Sequence, residues 1–283
     1  MIDRVSIKER SMRMFKNNYW LCVALFAVLA AVTGAVSGIS TIASNLANIA
    51  NIGKGEFLPS EAVKAFTGVS LVLSLFGLAA SIFVGGPLSV SSSKAAVNIY
   101  DGNRPSFRDV LFGFTNGMYW KSVGVTALLM LFTMLAAFAM IIPMAIVIAV
   151  IAASMAASGA GEQTVQIVLV LMTIVSVIVM MIPIIIVALG LSQTHYLVAD
   201  DDRTGMDAIR QSWKLMRGHK WEYFVFTLSF LGWQLLNVLT FGVLGIFYVG
   251  PYISIAHGGY YRELVRSEEP VVMGDVCVDD NGY

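Results

Sequence analysis

Long apolar runs alternate with short polar segments along this chain. No Asp, Glu, Lys or Arg occurs in Asn17–Gly53, Ala65–Ser93, Ser122–Gly161, Gln163–Ala199 or Tyr223–Tyr261. A helix needs about 20 apolar residues to cross the roughly 30 Å hydrocarbon layer of a bilayer. Each of the first four runs therefore accommodates one crossing, and the last accommodates two. The pattern predicts an all-α polytopic membrane bundle of six transmembrane helices, at about 20–39, 65–86, 121–142, 164–183, 222–240 and 243–262.

The runs are entered in one recurring way. Trp20, Trp120 and Trp221 each open an apolar run, and each follows a Ser or Thr with an acid three residues on: Ser6 and Glu9, Ser106 and Asp109, Thr204 and Asp207. That spacing is a capping box, in which two side chains satisfy orphan N–H groups at a helix start. The recurrence predicts three pseudo-repeated units, about 1–100, 101–200 and 201–266, each an amphipathic cytoplasmic helix followed by a helical hairpin. Together they form a single integral membrane domain, 1–266, and the remainder, 267–283, reads as an acidic disordered cytoplasmic tail. In the third unit Met206, Ile209, Trp213 and Met216 share one helical face, with Arg210, Lys214 and Arg217 opposite and Gly218 as a stop. Such a helix either lies in the membrane surface, its basic side toward anionic headgroups, or packs on its own bundle.

The pairs Tyr19-Trp20 and Tyr119-Trp120, and Trp221 with Tyr223, are expected as interface anchors, because their rings favour the headgroup layer. Pro87, Pro183 and Pro251 fall in the second helix of each unit and Pro143 in the first helix of the second. Proline removes an N–H and clashes one turn back, so each is expected to kink or end its helix. Leu88–Ile99 and Ile184–His195 then read as bent continuations along the inner surface. Two outer segments, Ile39–Asn51 and Met144–Ala157, exceed the bilayer; they either lie on the outer leaflet or pack as an outer cap. Gly34 and Gly38, and Gly77, Ser81 and Gly85, offer small faces for close helix packing, within the chain or between copies.

Composition agrees. Hydrophobic residues make up 57% and charged residues 13%, against about 25% charged in soluble domains. The net charge is zero, but its distribution is informative: 16 of the 18 basic residues fall on one side of the six spans, and only Lys54 and Lys64 on the other. The positive-inside rule then puts both termini in the cytoplasm, in a cytoplasmic (inner) membrane. Cys22 and Cys277 have no disulfide or metal spacing.

Candidate chemistry is sparse. The span cores carry no ionisable residue, the usual mark of an ion or proton path. His195 and His257 come nearest, close to the inner face. Asp200-Asp201-Asp202 is the one acid cluster; with Asp207 it is able to hold a divalent ion beside phosphates, or it is a polar loop entering a helix. No phosphate loop, nucleophile elbow or zinc-protease motif occurs. No catalytic residue and no cofactor is assigned, and the chain reads as a non-enzyme.

Asn18-Tyr19-Trp20, Phe83-Val84-Gly85-Gly86-Pro87-Leu88, Arg104-Pro105-Ser106-Phe107, Ser212 through Trp221, and Val249-Gly250-Pro251-Tyr252 together resemble a bacterial six-span integral membrane family of unknown function, distantly similar to the membrane domain of glycerophosphodiester phosphodiesterases. The resemblance implies an inner-membrane protein and supplies no catalytic residue. The functional expectation is a scaffold or accessory factor that binds membrane lipids, with anionic headgroups, or a membrane-protein partner, and no nucleic acid. The alternative is a transporter or exporter of an apolar or lipid-like substrate without ion coupling. A third reading is an enzyme acting on phosphate-bearing lipid at Asp200–Asp202.

Overall fold

A computed structural model describes residues 3–52, 59–115, 117–159, 161–201 and 203–268. Helix α1 (Arg4–Asn17) places Ile7, Ser11 and Phe15 at four-residue spacing, and these three are its buried residues. Its cap is Asp3, whose Oδ1 accepts from the N–H groups of Val5 and Ser6 at 3.0 and 3.3 Å. The box expected at Ser6 does not form: Ser6 lies inside the first turn, and its hydroxyl donates back to the Asp3 carbonyl. At Thr204 the cap has extended backbone but no side-chain hydrogen bond. The box at Ser106 and Asp109 is complete and starts the short helix α5 (Phe107–Leu111).

Two long hairpins follow from the apolar runs. The first pairs α2 (Tyr19–Ile52) with α3 (Ser60–Ala80), which continues through a π-helical turn, Ser81–Gly85, into α4 (Gly86–Tyr100). The second pairs α6 (Met118–Ala157) with α7 (Glu162–Leu191), continued after a two-residue turn by α8 (Thr194–Asp201). Among the described residues four helical stretches are long and apolar enough to cross a membrane: 19–49, 60–100, 118–155 and 162–200.

The expectation of six spans is therefore corrected to four. The last apolar run, in the third unit, is divided into α10 (Lys220–Leu228) and α11 (Leu231–Leu239), nine residues each, or about 13 Å of helix apiece. Phe230 turns inward between them, 2% exposed and edge-on to Tyr252. The chain then reverses at Phe241 and Gly242, both with positive φ, passes a second π-turn (Gly245–Val249) and enters α12 (Gly250–Glu268). A run without charge records polarity only. Here the aromatic packing of Phe230 and the left-handed residues of the turn interrupt the helix.

Prolines behave differently by position. Pro87 and Pro251 each stand second in a helix that follows a π-turn, where the shifted register accommodates the missing N–H. Pro143 and Pro183 lie inside α6 and α7, and neither ends its helix. Met144–Ala157 is neither a surface segment nor a separate cap: it is the upper part of α6, and Ile39–Asn51 is likewise the upper part of α2.

The core lies at one end of the molecule, here called the base, where α1, α4, α8, α9 (Gly205–Leu215), α10 and α12 meet. Leu88–Ile99 does not run along a surface. Most of α4 is buried on every face, Val90, Ala95 and Val97 completely. Helix α12 approaches it through adjacent glycines: a Cβ on Gly258 would lie 2.9 Å from the backbone of Ala96, and one on Gly259 would lie 2.3 Å from the Tyr100 ring. Helix α9 packs on this base too, with Ala208, Ile209, Ser212 and Leu215 buried. Its Trp213 rests on Gly190, and its Ser212 hydroxyl donates to the Gly190 carbonyl at 2.9 Å. Away from the base the hairpins are nearly bare. In the most apolar windows of α6 and of the α7–α8 stretch, none and 6% of the residues are buried.

Candidate functional site

Three features of the structure bear on function. The first is a charged hub in the base. Arg262 on α12 donates from Nε and Nη2 to Asp101 Oδ2, at 2.9 and 2.7 Å, and from Nη1 to Asp200 Oδ2 at 2.5 Å. Lys94 approaches the other Asp200 oxygen at 3.8 Å, and the Tyr261 hydroxyl donates to Asp200 at 3.5 Å. The hub thus joins α4, α8 and α12, with Asp101 just past α4, Asp200 near the end of α8 and Arg262 within α12. Asp200 is held by an arginine, a lysine and a phenol rather than presented to a ligand. Asp202 and the Asp201 side chain lie outside the described residues, as do Lys54 and the acidic tail from residue 269. Among the described residues no three His, Cys, Asp or Glu side chains gather as metal ligands.

The histidines are separated. His195 faces Thr126, whose hydroxyl lies 3.5 Å from Nε2. His257 sits in an aromatic cluster with Phe226, Phe230 and Tyr223, its Nδ1 2.7 Å from the Tyr223 hydroxyl. Burial holds His257 down to about 4 and pushes Tyr223 up to about 12, so at neutral pH the hydrogen bond joins a neutral imidazole and a neutral phenol.

The second feature is the aromatic belt. Trp20, Trp120 and Trp221 are 75%, 70% and 73% exposed. Tyr19-Trp20 and Tyr119-Trp120 share one geometry, edge-on at 5.2 and 5.3 Å with 76° between planes. The third pair departs from the expectation: Tyr223 is core, and Trp221 stacks on Phe224 instead. Two residues apart on a helix point to opposite sides, so Trp221 and Tyr223 do not share an interface. Several basic side chains near the predicted inner face lie over rings of the base: Lys8 on Phe230, Arg10 on Tyr100, Lys220 on Trp213.

The third feature was not legible in the sequence. A cleft of about 530 Å³ opens between α2, α4, α11, the second π-turn and α12. Its apolar wall includes Phe26, Leu29, Ile246 and Val249; Thr33, Ser92, Gln234, Asn237 and Ser254 line it with polar, uncharged groups. No charged residue lines it among the described residues. Asn237 packs its amide against Gly245, where an added Cβ would lie 2.5 Å from Oδ1, and that oxygen is buried without a hydrogen-bond partner. Gly242, Gly245 and Gly250 were the only hint in the sequence, since glycines inside an apolar run mark a close approach.

Four apolar helices of membrane-spanning length, standing on a packed helical base, define a multi-pass membrane protein. The chain belongs to a family described as protein of unknown function, DUF975, whose model matches residues 1–268. No curated protein and no solved structure matches the chain.

Proposed function

We propose that this is a non-enzymatic scaffold or accessory factor of the bacterial inner membrane, with base and both termini in the cytoplasm, that binds lipid and a membrane-protein partner through its bare hairpins. The observation that carries this reading is the second hairpin. From Trp120 to the end of α6 at Ala157 the helix continues without interruption, a rise of about 55 Å against roughly 30 Å of hydrocarbon. Its upper part stays apolar and open, with Ile146, Val147 and Val150 all exposed. Apolar surface standing beyond the bilayer calls for a protein cover. The equal Tyr-Trp geometry in two units and the matching π-turns before Gly86-Pro87 and Gly250-Pro251 support an ancestral repeat. The resemblance to the phosphodiesterase membrane domain agrees with a lipid setting. Against an enzyme stands Asp200, which is paired with Arg262.

A photo-crosslinking residue at Val150 tests this. One defined protein adduct is expected, and it should disappear when Ile146 and Val147 are changed to Ser. Adducts to lipid alone, or a protein adduct indifferent to those changes, would remove the partner from the proposal. A second reading, export of a lipid-like substrate, is favoured by the uncharged cleft, which has the size of a small-molecule site.

A further inference from the structure

We infer that the cleft between α2 and α12 is a binding site for an uncharged, hydroxyl-bearing lipid of the diacylglycerol type. The inference rests on the lipid-facing placement proposed above and adds a site, a ligand class and a mode of recognition.

Depth comes first. The cleft wall on α2 runs from Phe26 to Thr33, which a helical rise places about 10 to 20 Å from Trp20. With Trp20 at the interface, this is hydrocarbon depth, where water is scarce and the occupant must be lipid-soluble. Charge comes second: no acid or base lines the cleft, so a phosphate or ammonium there would remain uncompensated, at a cost of several kcal/mol. A neutral headgroup meets no such penalty. Polarity comes third. Asn237 lines the cleft, and its Oδ1 is buried without a hydrogen-bond partner. A side-chain amide both donates and accepts, so a ligand hydroxyl is able to pair with it. Ser92 already donates to the Ser89 carbonyl at 2.8 Å, so its free capacity is as an acceptor for a ligand hydroxyl. A lipid that both donates and accepts matches this pair; a hydrocarbon chain does not.

The two π-turns supply an independent argument. In the first unit the Gly-Pro step after the turn is covered by the chain itself: a Cβ on Gly86 would lie 2.7 Å from Thr126 Oγ1 and 3.2 Å from the Ser122 carbonyl, so α6 and its hydroxyl seat directly on it. In the third unit the corresponding step, Gly250-Pro251, lines the cleft, and the atom nearest a Cβ there is the Gly245 carbonyl of its own turn. The place taken by a helix carrying a threonine in one unit is open in the other. What fills it should share the character of that helix face, apolar with a hydroxyl.

The test uses the full chain in phosphatidylcholine nanodiscs doped with a diazirine-bearing diacylglycerol, with labelled peptides mapped by mass spectrometry. Labelling is expected on the peptides holding Phe26–Thr33 and Ile246–Ile253. It should fall at least fivefold in Asn237→Leu, which removes the amide, and in Ala30→Trp, which fills the cleft from an exposed position on α2. The same probe bearing a phosphate should label these peptides at least fivefold less. Unfolding temperatures of both variants serve as the folding control; should either fail to fold, the other and the phosphate probe carry the test. Labelling spread over α6 and α7 and unaffected by either variant would overturn the site while leaving lipid contact by the hairpins intact. Absence of labelling anywhere would overturn both. Equal labelling by the phosphate probe would overturn the neutral ligand class.

Discussion

At the scale of single residues, the base is specified by pairs that lie far apart in the chain. Asp101 and Arg262 form a bidentate pair, and Tyr223 hydrogen-bonds His257. The sequence gives no sign of either pairing, because the partners stand on or just past different helices and nothing local links them. His257 has a measurable consequence. Its folded value of about 4 lies below the ordinary 6.5, so between those values the unfolded chain binds the extra proton and stability rises with pH. The contribution is complete above pH 6.5 and is lost as pH falls toward 4, roughly 2 to 3 kcal/mol over the whole window. Thermal unfolding of the solubilised protein from pH 6.5 to 5, above the range of most carboxylates, should show this slope. In His257→Phe the slope should become shallower, with stability at pH 7 lower by about 1 kcal/mol for the lost hydrogen bond to Tyr223. An unchanged slope would assign the acid sensitivity elsewhere.

At the scale of elements, glycines show where helices touch and where they do not. Gly113, in the turn after α5, faces backbone: a Cβ there would lie 2.0 Å from the Pro87 carbonyl oxygen, and its N–H donates to Ser91 Oγ at 2.9 Å. Gly113→Ala should therefore cost about 1 to 3 kcal/mol, because neither strand of backbone is able to yield. Gly124 in α6 has no atom within 4 Å of a built Cβ, so Gly124→Ala should be neutral or stabilising by up to about 1 kcal/mol. Denaturation midpoints of the two variants moving in opposite directions would check this; equal shifts would contradict it. The same geometry sorts the small-residue faces. Gly77 packs against Ser40 across the first hairpin, whereas Gly34 and Gly38 meet nothing within 4 Å. The G-x-x-x-G spacing named a small face, and only the structure separates a face that is used within the chain from one that is not. For α9 the apolar face written in the sequence was off by part of a turn: Ile209 and Met216 are buried, but Met206 and Trp213 are 38% and 41% exposed. The contact with the base uses the small residues Ala208, buried with Val90, Val125 and Val198, and Ser212, bonded to the Gly190 carbonyl, which a search for large apolar residues passes over.

At the scale of the whole molecule, replacing six spans by four preserves the parity on which the charge argument depends. An even number of spans leaves both termini on one side, and on the proposed placement the third unit dips into the membrane and turns back at Phe241, which is 98% exposed. In a background with Cys22→Ala and Cys277→Ser, a membrane-impermeant maleimide added to intact cells should label Ser158→Cys and leave Ser6→Cys unlabelled until lysis. Phe241→Cys should resist the reagent from outside, because its turn stays within the bilayer. Outside labelling at residue 241 would restore the six-span topology.

The amino-acid sequence by itself determined that the protein is helical and carries several apolar helices long enough to cross a membrane. Each of these follows from composition and local order, since burial in hydrocarbon and helix capping act over a few residues. Tertiary structure alone decided that the last run would not cross, that Tyr223 would turn inward, that Asp200 would be bound by Arg262, and that a cleft would remain beside Gly250 where α6 covers Gly86. Those outcomes depend on which helix reaches a given surface first, and that competition is settled between residues tens of positions apart, 34 for Tyr223 and His257 and 62 for Asp200 and Arg262.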